Sequence, residues 1–153
     1  VGYAGGMGAD WALADRVGVA VGSPVVRMQR VRLIEGESTS IERAHVNLSL
    51  CPSLVGHDFE CESLYDVLLK EGGVRVEHGR EHISISRLNA EEAELLQQEE
   101  GTPVFYESSI EFDKDMRFVE HCKSVILPTK FRFADNGEEN GMRSVAGEQW
   151  LKQ

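Results

Sequence analysis

Cysteine is scarce in this chain: Cys51, Cys61 and Cys122 are the only three among 153 residues, and no two form a CxxC pair. An odd, widely spaced set offers neither a disulfide framework nor a zinc-ribbon spacing, and it fits a reducing compartment. Long apolar runs are also lacking, since none reaches the roughly 18 residues that a membrane-spanning helix needs. The opening Val1-Gly2-Tyr3-Ala4-Gly5-Gly6-Met7-Gly8 has neither the basic cluster nor the apolar stretch of a signal peptide. A cytoplasmic protein without membrane contact is expected. Positive charge is in short supply: 16 lysines and arginines face 26 aspartates and glutamates, for a net charge of -10. Such a surface repels phosphate backbones, so any DNA function has to come from residues outside this chain. There is no phosphate loop, nucleophile elbow or dinucleotide fingerprint. No catalytic residue and no cofactor is therefore expected.

What remains is a sequence of the right size for one ordinary domain, with 41% hydrophobic residues. Four glycines in the first eight residues read as a loop or linker. Residues 10–17 (DWALADRV) carry a short helical stripe that ends at Gly18. From Val25 the composition turns β-branched: Val25 to Ile34 and Thr39 to Leu48 read as a hairpin around Glu35-Gly36-Glu37. Ser63 to Glu71 is a helix with Ser63 as its N-cap and Gly72-Gly73 as its stop. Val74 to Arg87 is strand-like, and Asn89 to Gln98 is a helix with acids in its first turn, where the helix dipole favours them. Val104 to Phe112 and Phe118 to Leu127 form a second hairpin. Phe131 to Phe133 adds a short last strand, and beyond Ala134 only Trp150 and Leu151 suggest a docked end. Strands that arrive as hairpins, interrupted by a few helices, argue for an α+β fold with an antiparallel sheet.

Candidate site residues follow from strand alternation. Arg30 and Arg32 share a face with Met28 and Ile34 on a strand that is apolar on both sides, so their guanidiniums need anionic partners from the protein or from a ligand. Glu42 shares its face with Ala44, Val46 and Leu48, and across the hairpin Arg30 or Arg32 is its obvious partner. Glu120 lies on one face with Cys122, Ser124 and Ile126. Ser63 is first of all a helix cap, but the same helix start offers N–H groups to a phosphate or carboxylate. For each of these, a structural ion pair, a cap or an edge position in water is the competing explanation. His78 and His82 share a strand face without a third ligand nearby, so no metal site is expected. His121 and Cys122 are strand neighbours that point to opposite faces and make no thiolate–imidazole pair.

The order of these segments resembles the UTRA domain, the effector domain of HutC-type GntR-family transcription regulators. The resemblance runs through Arg30-Val31-Arg32-Leu33, Glu35-Gly36-Glu37 and Ile41-Glu42-Arg43, then Ser63-Leu64-Tyr65-Asp66-Val67-Leu68. It continues in Ala90-Glu91-Glu92-Ala93-Glu94-Leu95-Leu96, Gly101-Thr102-Pro103-Val104 and the hairpin ending in Val119-Glu120. It implies a chorismate-lyase-like fold, a central antiparallel sheet flanked by helices. It also implies a homodimer whose DNA reader is a winged helix-turn-helix outside this chain, and a small anionic or polar effector such as a sugar phosphate or small carboxylate. Arg30 and Arg32 would grip that effector, Glu42 would accept hydrogen bonds, Ser63 would add donors and Glu120 would contact the far side. The chain departs from the pattern at Ile126, where members often carry a tyrosine, and in a segment before Trp11 too short for the usual first strand. The expected organisation is a glycine-rich leader over 1–11, the effector-binding domain over 12–135 and a polar tail over 136–153. A chorismate-lyase-like enzyme and a ligand-free dimerisation module are the alternatives.

Overall fold

Pairing of β-branched segments through short turns builds one antiparallel sheet, seen in a computed structural model that describes residues 2–133 and 142–144. In chain order the strands are β1 (Gly2–Gly8), β2 (Pro24–Ile34), β3 (Glu37–Asn47), β4 (His78–Arg87), β5 (Pro103–Phe112) and β6 (Phe118–Ile126). The helices are α1 (Trp11–Val17), α2 (Leu64–Gly72) and α3 (Ala90–Leu96). Across the sheet the strands run β1-β2-β3-β6-β5-β4. The fold is α+β, as the hairpin pattern implies.

The turn between β2 and β3 is a two-residue loop, Glu35-Gly36, with φ of 52° and 80°. Positive φ at both positions gives the twist that a tight hairpin needs, and a register shift between Arg32 and Leu33 then brings Arg30 opposite Glu42. Helix α2 begins at Ser63, whose side chain accepts from the Asp66 N–H, and it stops at Gly73 with φ 63°. Helix α3 opens with a capping box between Asn89 and Glu92. Glu92 also takes a hydrogen bond from Arg43 Nη1 at 3.1 Å, which ties α3 to β3.

The two faces of the sheet are covered differently. Leu64, Val67 and Leu68 of α2, with Leu54, Phe59 and Val74, pack on Val26, Met28 and Val46 of one face. On the other, Ala93 and Leu96 of α3 meet Ile41, Val104 and Val125, while Leu13, Ala14 and Val17 of α1 meet Val25 and Phe118. Apolar burial on this scale is the main stabilising contribution to the fold. The face under α2 is covered only over β2 and β3 with the end of β6. Towards β5 and β4 it stays open, and there the strands carry glutamates.

Three expectations are corrected. The glycine-rich start is not a loop: Gly2–Gly8 pairs in full register with β2, Gly2 opposite Arg30 and Gly8 opposite Pro24. The segment before Trp11 is therefore long enough for a first strand. The backbones approach closely at Gly8, where a Cβ would lie 3.3 Å from the Gly22 backbone. The strand-like run from Val74 starts as a strand only at His78, because Val74 is drawn into the cluster under α2. Phe131–Phe133 is a strand and pairs with Met142–Ser144. Trp150 and Leu151, read as a docked end, lie outside the described residues.

Candidate effector site

The open part of the α2 face forms a cavity of about 110 Å³, lined by Arg30, Glu42, Tyr65, Glu81, Glu107, Ser109, Glu111, Glu120, Cys122 and Ser124. Strand register explains why these residues meet. One cross-strand row runs Arg30, Glu42, Ser124, Glu107, and the next runs Ala44, Cys122, Ser109, Glu81. A third runs Val46, Glu120, Glu111, Gly79. Side chains alternate along each strand, so all of these point to one face. Gly79 leaves room for its neighbour: a Cβ there would lie 2.5 Å from Glu111 Oε2.

Charge is arranged unevenly. Glu42, 3% exposed, receives Arg30 Nη2 on Oε2 and Arg32 Nε on Oε1, each at 3.0 Å. Both guanidiniums are thus committed to one carboxylate. Arg30 is 7% exposed, and its Nη1 is buried with no hydrogen-bond partner. An unpaired buried donor of that strength is costly unless something outside the chain meets it. Tyr65, in the first turn of α2, donates to Glu120 Oε1 at 2.8 Å. Burial pushes the Glu120 carboxyl up to about 7 and raises the Tyr65 phenol further. Burial, then the charges of Glu81, Glu42 and Glu111, raises Glu107 to about 7 as well. Its Oε2 is also buried without a partner. Burial and Glu81 raise Glu111. Burial and then Glu120 raise the Cys122 thiol well above the usual range, so it is a neutral wall and no nucleophile.

The sequence candidates distribute as follows. Arg30, Glu42 and Glu120 line the cavity. Arg32 stands one step behind, holding Glu42. Ser63 is not among the lining residues, and its hydroxyl is used on the Asp66 N–H at 3.4 Å. Ile126 is buried in the sheet. His121 points to the other face, where it stacks on His45 with ring centroids 6.5 Å apart. Among the described residues no group of three or more histidines, cysteines, aspartates or glutamates is arranged to hold a metal ion. No helix among them is long and apolar enough to cross a membrane.

Residues 6–132 match the family model of the UTRA domain. The chain belongs to the UTRA domain family. It is 26% identical over 125 residues to the HTH-type transcriptional repressor PhnF of Mycolicibacterium smegmatis, covering 82% of this chain and 51% of that protein. It is 26% identical over 121 residues to the HTH-type transcriptional repressor NagR of Bacillus subtilis, covering 79% and 49%. The crystal structure of the effector domain of PhnF from Mycobacterium smegmatis superposes with a TM-score of 0.78 at 26% identity, over 86% of this chain and 81% of that one. The chain thus spans about half the length of the curated relatives it matches, and it is homologous to the effector domain of a transcription regulator.

Sequence reasoning about this UTRA domain missed Tyr65, Glu81, Glu107, Ser109 and Glu111. The signal for three of them was available: Glu107, Ser109 and Glu111 alternate along β5, whose opposite face carries Tyr106 and Ile110. Laying β5 beside β6 would have put them next to Ser124, Cys122 and Glu120.

Proposed function

We propose that this UTRA domain binds a small polar effector in the cavity between α2 and strands β2, β3, β6, β5 and β4, and thereby controls DNA binding by a helix-turn-helix domain outside this chain. The observation that carries this reading is Arg30, a residue of the cavity wall whose Nη1 is buried and unpartnered. Arg30 supplies a donor to an acceptor on the effector, Arg32 and Glu42 hold it in place, and Tyr65 positions Glu120. Ser63 contributes through the helix start that carries Tyr65. On this reading the domain does no chemistry: the thiol on the cavity wall, Cys122, is held neutral by burial.

The relatives' description as HTH-type repressors supports the regulatory part, and the net charge of -10 supports a DNA reader located elsewhere. We assign the chain to the HutC-type branch and to the cytoplasm, acting as a homodimer. Edge strand β4 is the surface offered for that dimer, with Ile85 78% exposed. Effector binding then shifts the balance between two placements of the DNA reader, which requires different affinities for the two.

Thermal unfolding against sugar phosphates, amino acids and small carboxylates tests the reading. A compound at about 100 times its Kd adds about 2.7 kcal/mol to the folded state. Arg30→Lys keeps a cation beside Glu42 but removes the fork that carries Nη1, so it should fold and lose that shift.

A further inference from the structure

The cavity holds more negative charge than its own cations can pair. Arg30 and Arg32 both serve Glu42, and no ion pair among the described residues reaches Glu81, Glu107 or Glu111. These three sit on the adjacent strands β4 and β5, on the face that lines the cavity. Glu81 is exposed, Glu107 and Glu111 are half-buried, and Arg30 is buried. Burial therefore grades from an acidic rim to a guanidinium at the floor. An effector that was only an anion would have to pass the carboxylates to reach Arg30, and would gain nothing from them. A partly exposed acidic patch alone could simply be solvated. Two further features speak against that: Glu107 Oε2 is buried without a hydrogen bond, and so is Nη1 of Arg30. An orphaned acceptor and an orphaned donor thus belong to two residues that line one cavity.

We infer that the effector is zwitterionic or aminated: a cationic nitrogen sits among Glu81, Glu107 and Glu111, and an acceptor group reaches Arg30 Nη1. The inference rests on the effector-binding reading above and names the ligand class for the same site. An ammonium group fits because it brings three donors to carboxylates on neighbouring strands. The carboxylates are not arranged as a metal-ligand set, which favours an organic cation. Burial first, and then the charge of neighbouring glutamates, raises Glu107 and Glu111, and an entering cation offsets the charge part. Glycine at position 79 keeps the Glu111 carboxylate lying against the strand, where any Cβ would displace it.

The test uses α- and ω-amino acids and amino alcohols, each paired with the hydroxyl or carboxyl compound of the same length, in calorimetric titration of the wild-type chain. Aminated members should bind at least about tenfold more tightly than their partners, the factor set by one retained charge-assisted contact. Glu107→Gln combined with Glu111→Gln, which keeps shape and removes charge, should erase that preference while leaving the melting transition cooperative. If no aminated compound binds, or if the hydroxyl and carboxyl partners bind as well or better, the inference is overturned. Arg30-dependent binding of such an anion or polyol would overturn the cationic assignment alone. Absence of any Arg30-dependent binding would remove the effector-binding reading with it.

Discussion

Replacing Glu42 with alanine tests the electrostatic frame of the cavity, because two cations depend on one carboxylate. Arg30 is 7% exposed and its Nη2 lies 3.0 Å from Glu42 Oε2. Arg32 Nε lies 3.0 Å from Oε1, with its side chain 24% exposed. Glu42→Ala strips the buried Arg30 guanidinium of its hydrogen-bonded carboxylate, a change that costs about 3–5 kcal/mol in comparable buried pairs. The share from Arg32 is smaller, because solvent screens it. Against a stability of about 5–15 kcal/mol this is a large fraction. For a chain of this length each kcal/mol moves Tm by about 2–4 °C, so a drop of roughly 6–20 °C is expected. Urea unfolding followed by far-UV circular dichroism gives the free energy, and a thermal scan gives the shift. Adding Arg30→Met to Glu42→Ala removes the stranded charge and should recover most of the loss, since an apolar replacement of a buried ion pair is close to neutral. A single variant within about 1 kcal/mol of wild type would refute the reasoning. So would a second substitution that deepens the loss.

Three further outcomes follow from the same geometry. Tyr65→Phe removes the donor to a fully buried Glu120, costs about 1–3 kcal/mol, and moves the Glu120 carboxyl above its present value of about 7, read by carboxyl carbon NMR titration. Glu107 has a folded pKa of about 7 against an ordinary 4.5, so it stabilises the fold while protonated, and that contribution fades as pH rises through 7. Glu107→Gln should therefore gain on wild type between pH 5 and pH 8, on the order of 1–2 kcal/mol after discounting for solvent around a partly exposed group. His121, lowered to about 4 by burial, acts in the opposite direction as pH falls, but it is present in both proteins and cancels in the difference. Ile85→Lys, on the exposed edge strand, should shift sedimentation of the chain towards the monomer; an unchanged sedimentation coefficient places the dimer contact elsewhere.

Local signals were enough for most of the fold. Glu35-Gly36 marked the hairpin, whereas Arg30 comes opposite Glu42 only through a one-residue register shift between Arg32 and Leu33 that the turn does not dictate. Ser63 and Asn89 marked their helix starts through caps that operate in the structure. Strand β1 was illegible because four glycines in eight residues have low strand propensity. Pairing with residues 24–30 of β2 overrides that preference, and this tertiary contact leaves no local trace. The site was half legible for a related reason. Arg30, Glu42 and Glu120 stood out as charges in apolar company, within single strands. Glu81, Glu107 and Glu111 stand in polar company on β4 and β5, and they become a cluster only through the order β6-β5-β4. Tyr65 looked like a helix residue beside the stripe of Leu64, Val67 and Leu68, and its reach to Glu120 depends on where α2 lands on the sheet.

The most direct test of the effector-site account compares wild type with Arg30→Lys in thermal unfolding against amino acids, amino alcohols, sugar phosphates and small carboxylates. The account predicts at least one compound, from the aminated group, that raises the wild-type Tm in a concentration-dependent way and leaves Arg30→Lys unmoved. A compound that stabilises both proteins equally binds somewhere other than the Arg30 cavity, and that result would contradict the account.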